Sequence, residues 1–531
     1  MLTLPRSHRP LIMGRNGAVG ANHPAAAQVG LDALRAGGNA VDAAVAVSLA
    51  LGVCEPMMSG LGGDGFFHTF MAAERVSTVY NGTGPAPRAA SATGSALGIM
   101  ITGPLSVSVP GKLAGLAAMH AASGRMAWGA LVKPAIKLAR DGFAATRAYV
   151  NYAHDHTTRL AADHRSAATF LGVGLADLVF QPELARTLEE IAAEGPDSFY
   201  RGRLASRLAN GCAECGVPIG PGDLEACHAE VVAPIGIRYR RWEIRQTPPN
   251  STGFTLLQMF KTVERFDWAA LSPAERVHIL VEAKKLAFLD RESYGMDPSF
   301  GAVPLERLLS EAYAERQAGR IDMARAAELP LVKEAEAADT TYFCVIDADG
   351  NAVSAIQSIN SAFGSGVTAG DTGILMNNHM AYWHLALDHA NCLMPGKRVR
   401  HTMNAPMVFE NGKLWGVMGT PGADNQVQVN LQVLTAMLDG GEDPQTAVEA
   451  PRWTSSQPGQ GANWPHGGDG ALTVETDFGA DVLADLAHRG HKLTKVGHLE
   501  GPCAVQVIKL MPNGVRTAAS DTRRDGWAAA F

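Results

Sequence analysis

The sequence predicts an α+β fold in which helical layers enclose antiparallel sheets. Three observations point there. Helix-periodic stretches dominate the first two-thirds of the 531 residues, whereas strand-like stretches occur in both halves and concentrate after residue 340. Two hairpin signals, Asp349-Gly350 and Asn411-Gly412, each join a pair of apolar, β-branched runs.

Taken in order, Pro24 to Ala36 carries helical spacing of Ala, Val and Leu and stops at Gly37-Gly38. Asn39 to Leu51 is apolar on most faces and reads as a buried helix. The glycines of Met58 to Phe67 lack the Gly-Lys-Ser/Thr ending of a phosphate loop, so a strand closely approached by other backbone is expected. Val107 to Gly111 reads as strand and turn, Lys112 to Ala122 and Trp128 to Asp141 as helices. Residues 147–223 read as helical, and Glu230 to Arg245 as strand. Helices follow at Thr255 to Phe266 and, amphipathic, at Glu275 to Tyr294, where His278 and Glu282 make a satisfied or solvated pair. Glu315 to Ala338, rich in Ala, Glu, Arg and Lys, reads as an exposed or mobile segment. Later strands are expected at Gly373 to Met376, Pro406 to Glu410, Lys413 to Met418, Cys503 to Leu510 and Val515 to Ser520, with a helix at Gln426 to Leu438.

Composition narrows the function. A hydrophobic fraction of 47% is ordinary for a globular protein, and a net charge of −7 with no basic block gives nucleic acid nothing to bind. Met1 to Pro10 has positive charge but no apolar run behind it, and the most hydrophobic stretch, Ala40 to Val53, is broken by Asp42 and Ser48. The expectation is a cytoplasmic protein without a membrane partner. Seven scattered cysteines argue against a disulfide framework. Cys212 and Cys215 have zinc-like spacing, with Cys227-His228 beyond, but no second matched pair completes a site, so no metal and no cofactor are expected.

The stretch from Asp339 to Asn360 is the centre of the chain: Asp339 to Asp347 and Ala352 to Asn360 flank the Asp-Gly turn. A three-residue loop, Ala348 to Gly350, sets Thr340 opposite Ser358. A two-residue loop on Asp349-Gly350 sets Ile359 opposite Thr340 instead.

The order Asp-Thr-Thr-Tyr-Phe (from Asp339), Asp-Ala-Asp-Gly-Asn-Ala-Val (from Asp347), Ser-Ile-Asn-Ser-Ala-Phe-Gly-Ser-Gly-Val (from Ser358) and Gly-Ile-Leu-Met-Asn-Asn (from Gly373) resembles the core of the γ-glutamyltranspeptidase family. The likeness runs from about residue 13 to the end. It implies the four-layer αββα sandwich of the N-terminal nucleophile hydrolases and a precursor that cuts itself between Asp339 and Thr340. A large (α) subunit, 1–339, and a small (β) subunit, 340–531, would remain one folded domain, an α/β heterodimer alone or in a higher oligomer.

The resemblance also implies a site. Thr340 is the nucleophile, since a new chain end supplies an α-amino group of pKa about 7.7–8.0 as its base. Ser358 orients it by donating a hydrogen bond, and the backbone N–H groups of Gly422 and Ala423, where the family has two glycines, hold the oxyanion. Substrate contacts are expected from Asn360, His379, Tyr382, His401 and Thr402, and from Thr83, which stands where the family has an arginine, with Arg88 as its substitute. Ala381 and Tyr382 replace the family's acidic pair, and His401-Thr402 its two serines. A small-molecule amide or γ-glutamyl substrate follows, and the lost charges predict poor use of γ-glutamyl compounds in favour of acyl groups without a free α-ammonium. Two alternatives stay open: a small-amide hydrolase or acylase of the oxamate amidohydrolase or cephalosporin acylase kind, and an unprocessed, non-catalytic binding scaffold.

Overall fold

The computed structural model describes residues 7–91, 99–328 and 340–531. Two seven-stranded antiparallel sheets lie face to face. The first runs, in spatial order, Trp527–Ala530, Gly17–Ala21, Thr341–Asp347, Ala352–Ser358, Asp64–Met71, Val76–Gly82 and Glu230–Val232. The second runs Ile12–Gly14, Arg516–Ser520, Gln506–Leu510, Lys413–Gly419, Met407–Glu410, Trp242–Gln246 and Ile235–Tyr239.

Three apolar layers hold this stack together. Phe66, Tyr342, Ile346 and Ile356 of the first sheet meet Met407, Val417 and Ile508 of the second. On its outer face the first sheet packs Phe67, Phe343, Val345 and Val353 with the helices Pro24–Arg35, Ala40–Cys54 and Trp128–Asp141. The outer face of the second packs Ile244, Met418 and Val507 with Gly253–Val263, Pro273–Tyr294 and Asn425–Leu438. The result is the αββα sandwich that the family resemblance implies. Both faces of the central hairpin are covered, so its strands are buried at every position and read as near-continuous apolar runs.

Local chemistry explains the elements. Asn39 caps Ala40–Cys54 by accepting from the N–H groups of Val41 and Asp42, while Asp42 accepts from the N–H of Asn39. All of that helix is buried. In the central hairpin Thr341 pairs with Gln357 and Ile346 with Ala352, around the three-residue loop that Gly350 closes at φ +85°. The second hairpin pairs Glu410 with Lys413 around Asn411 and Gly412, both at positive φ, the two-residue turn its Asn-Gly signal predicts.

Several expectations need correction. Val107 to Gly111 and Gly373 to Met376 are not sheet strands; Met376 makes only a bridge to Gly62. The helix Pro273–Tyr294 is not one-sidedly amphipathic, because other helices and a small sheet cover it, and its buried ammonium groups find partners: Lys285 Nζ donates to Glu282 Oε1 and Lys284 Nζ to the carbonyl of Ser455, both at 2.8 Å. His278 is satisfied by His491 and the carbonyl of Asp322 rather than by Glu282. Within Glu315 to Ala338, the first residues finish the helix Glu311–Ala318, with Gln317 buried, and the backbone of Ala327 is gripped by Glu282 and Lys285. Residues 329–338 of that segment, and Asp339 after it, lie outside the described residues. Cys215 and Cys227 turn to separate carbonyls, those of Thr368 and Pro110. Among the described residues no helix is long and apolar enough to cross a membrane.

Behind the second sheet, Asp521 accepts from Arg452 Nη1 at 2.7 Å and from Arg523 N and Nη1 at 3.0 and 3.1 Å. Burial works to raise its carboxyl, but the two guanidinium groups outweigh it and hold the pKa below the ordinary value. A carboxylate with a depressed folded-state pKa adds stability above its unfolded value, about 3.9, which is lost as pH falls through the folded value. Asp521→Asn is therefore expected to cost about 3–5 kcal/mol at neutral pH. In denaturant titrations from pH 7 to pH 3, the native chain should lose more stability on acidification than the variant; equal slopes would remove Asp521 from the acid response.

Candidate active site

Thr340 immediately precedes the strand Thr341–Asp347 and Ser358 ends the strand beside it. The three-residue loop sets the register that brings them together. Thr340 Oγ1 donates to Ser358 Oγ at 3.3 Å, the reverse of the sense expected from sequence, and Ser358 Oγ also accepts from the N–H of Asn360 at 2.7 Å. Both side chains are buried. From the first turn of the helix Asn425–Leu438, Gln426 Nε2 approaches Thr340 Oγ1 at 3.5 Å. Gln426 Oε1 accepts from Asn404 Nδ2, and Asn404 Oδ1 accepts from Gln246 and Asn430. This chain of amides fixes Gln426, and no local sequence signal announced it.

Gly422 and Ala423 form the turn between the strand Lys413–Gly419 and the helix Asn425–Leu438. Both have positive φ, +117° and +46°. Among the described residues neither N–H is given to an acceptor, so both remain available to an oxyanion. For an alanine this left-handed backbone costs on the order of 1–2 kcal/mol, and the loop is held in it from both sides. Arg291 pairs with Asp424 through Nη1, and Asp424 Oδ2 accepts from the N–H of Ala462 at 2.6 Å. A cavity of about 200 Å³ opens beside Gly422 and Ala423, walled by Lys284, Phe288, Gln457 and Gln460.

Of the residues expected to touch substrate, most gather here. Asn360, at φ +77°, donates through Nδ2 to the carbonyl of Asn378 at 3.0 Å and to Asn463 Oδ1 at 2.9 Å. The rings of His379 and His401 lie 4.5 Å apart, with the ring of Tyr382 near both, and the hydroxyls of Tyr382 and Thr402 are 3.3 Å apart. Two residues bring no free charge to this group. The hydroxyl of Thr83 is spent on Asn81 Oδ1 at 2.7 Å, and Arg88 has a side chain 68% exposed beside Asp223. Arg88 therefore does not take the place of the missing arginine.

Sequence reasoning missed Asp64. It stands in register with Ser358 on the neighbouring strand, fully buried. Its Oδ1 accepts from the N–H groups of Gly84 and Gly111, at 2.9 and 3.1 Å, while Oδ2 faces His401 Nε2 at 3.2 Å and His379 Nδ1 at 3.0 Å. Burial works to raise the Asp64 carboxyl, and the two facing histidines outweigh it, so it stays below the ordinary range. Burial likewise pulls His401 down to about 4, leaving it neutral at pH 7.

The γ-glutamyltranspeptidase family profile matches residues 26–531. Among curated proteins, the glutathione hydrolase-like YwrD proenzyme of Bacillus subtilis is 36% identical, the match covering 97% of this chain and 99% of that one. The oxamate amidohydrolase proenzyme of Klebsiella pneumoniae is 33% identical over 97% and 98%. Among solved structures, the cephalosporin acylase from Bacillus halodurans superimposes with a TM-score of 0.90 at 32% identity, covering 100% of this chain and 99% of that one. With this much of the chain matched, and with the αββα stack already established from its packing, the protein belongs to the γ-glutamyltranspeptidase family of self-processing amide hydrolases.

Proposed function

We propose that the nucleophile of this amide hydrolase is Thr340 Oγ1, exposed as a chain end by cleavage between Asp339 and Thr340, so that residues 1–339 and 340–531 become two subunits. The observation that carries this reading is the placement of Thr340 at the head of its strand, with its hydroxyl 3.3 Å from Ser358 Oγ and two left-handed backbone N–H donors in the site. In turnover, the new α-amino group takes the Thr340 hydroxyl proton as Oγ1 attacks the substrate carbonyl. Gly422 and Ala423 hold the developing oxyanion, the C–N bond breaks, and the amine departs with the proton. Water then attacks the ester by the same route, releasing the acid and restoring Thr340. Ser358 and Gln426 orient the nucleophile throughout.

The small-amide hydrolase reading is favoured over a dedicated glutathione hydrolase by one observation: among the described residues, the arginines close in sequence to Thr83 and to His401-Thr402 are either exposed or already paired. Arg88 faces solvent, Arg398 is held by Glu230 and the carbonyls of Thr83 and His228, and Arg400 is held by Glu292.

Purified protein should separate under denaturing conditions into fragments of 339 and 192 residues, less any trimmed ends, the smaller beginning Thr-Thr-Tyr-Phe. N-terminal sequencing checks it. A chain intact after prolonged incubation would return the scaffold alternative to first place.

A further inference from the structure

A second cavity, of about 290 Å³, lies in the helical layer behind the second sheet and shares no lining residue with the site around Thr340. One wall is the start of the helix Pro273–Tyr294, another the second half of Asn425–Leu438. The first turn of the latter helix carries Gln426 toward Thr340, whereas Gln432, Val433, Thr435 and Ala436 line the cavity about 9–15 Å further along the helix axis.

Two charged side chains from different elements border this space. Arg276 comes from Pro273–Tyr294, and its Cζ lies 5.3 Å from the centroid of the Trp268 ring, which also lines the cavity. Glu442 follows the other helix, tied to its end by donating its N–H to the carbonyl of Ala436 at 3.1 Å. Among the described residues neither side chain has a hydrogen-bond partner or an opposite charge within 4 Å, and Arg276 Nε and Glu442 Oε2 are buried in that state. The other charges on the lining are spent: Arg452 on Asp521, and Asp477 on His498 Nδ1 at 2.9 Å. Burial, with Asp443 adding to it, raises the Glu442 carboxyl above its ordinary value, as befits a carboxylate held away from any cation.

Buried polar atoms left unpaired are costly, and such groups in a folded protein call for a reason. Opposite charges that border one cavity without meeting narrow the choice of occupant. A divalent cation would gain Glu442 but face Arg276, and a phosphate or dicarboxylate would meet the reverse. An uncharged apolar molecule would leave both charges unpaired. A zwitterion satisfies both, since the guanidinium fork suits a carboxylate and the Glu442 carboxylate an ammonium. The remaining wall includes Trp268, Trp453, Phe478, Leu280 and Val433, which suits an aromatic body between the two charged ends.

We propose that this cavity is a second ligand site, binding a free α-amino acid with an aromatic side chain, its carboxylate on Arg276 and its ammonium on Glu442. The site is separate from the one that hydrolyses amides and does not depend on which residue is the nucleophile.

Equilibrium dialysis of the full protein against radiolabelled L-phenylalanine tests it. One equivalent per chain is expected to bind at millimolar concentration. The probes 3-phenylpropionate and 2-phenylethylamine keep the ring but carry one charge each, and should compete at least tenfold more weakly than unlabelled L-phenylalanine. Arg276→Met and Glu442→Gln should each weaken binding at least tenfold while keeping the native circular dichroism spectrum. Should a variant fail to fold, the comparison of the three competitors on the native protein decides alone. Absence of saturable binding, equal competition by either singly charged probe, or binding that both folded variants leave unchanged would overturn the proposal. The last result would move the bound amino acid to the site around Thr340.

Discussion

Thr340→Ala is expected to give a chain that neither divides nor turns over. If the proposed nucleophile is right, a single hydroxyl would serve both reactions, attacking the carbonyl of residue 339 in the precursor and the substrate carbonyl afterwards, so its removal would leave no partial function in either. Loss of the nucleophile in an acyl-transfer enzyme lowers kcat by on the order of 10⁶. Ser358→Ala is the informative contrast. It removes one orienting partner of a buried hydroxyl, worth about 1–3 kcal/mol, and should slow cleavage and turnover together by roughly 10- to 100-fold. Denaturing electrophoresis over time and p-nitroanilide release read the two reactions. A Thr340→Ala chain that processed normally would place the nucleophile elsewhere.

Gly63→Ala is expected to damage the same site through the backbone. A Cβ at residue 63 would lie 2.2 Å from the carbonyl oxygen of Ser358 and 2.9 Å from Ile359 Cγ2. Neither contact can be relieved by turning a flexible side chain, so the end of the strand carrying Ser358 must move. Overpacking of this kind costs about 1–3 kcal/mol, and a displacement near 1 Å at the reacting groups costs on the order of 10² in rate. Gly60→Ala, three residues earlier in the same loop, is the control: its Cβ meets nothing nearer than 3.7 Å. The pair should separate cleanly in self-cleavage half-time, with Gly60→Ala close to the native chain. If Gly63→Ala cleaved as fast as Gly60→Ala, close approach at residue 63 would not be what positions Ser358.

What was legible in the sequence follows from how local each signal is. The central hairpin could be read because its turn chemistry and β-branched flanks lie within about twenty residues, while its register stayed open between a two- and a three-residue loop until the structure showed the latter. Gly17–Ala21 and Trp527–Ala530 were missed because Gly-Ala-Val-Gly-Ala and Trp-Ala-Ala-Ala have little strand propensity; they are strands because each completes a sheet whose other members come from far along the chain. The same distance hid Asp64. Within its own glycine-rich stretch it is one polar residue, and its importance arises only when strand pairing sets it opposite Ser358 and the fold brings His379 and His401 against it. Arg88 shows the converse. Its sequence neighbourhood suggested a substitute for the family's arginine, but a side chain that reaches solvent beside Asp223 plays no part in the site.

The strand order has one more consequence. In the first sheet Gly17–Ala21, which would belong to the larger product of the proposed cut, lies between Trp527–Ala530 and Thr341–Asp347 of the smaller, whose hairpin meets the larger again at Asp64–Met71. In the second sheet four strands of the smaller subunit are bracketed by Ile12–Gly14 on one side and Trp242–Gln246 on the other. The two products of a cut before Thr340 are thus laced through both halves of the sandwich. Pulling them apart would mean unzipping both sheets and opening all three apolar layers at once, which amounts to unfolding. Dilution would therefore have no purchase on the proposed heterodimer. It would be held by the same cooperative transition that holds the uncut chain, rather than by an association equilibrium subject to mass action.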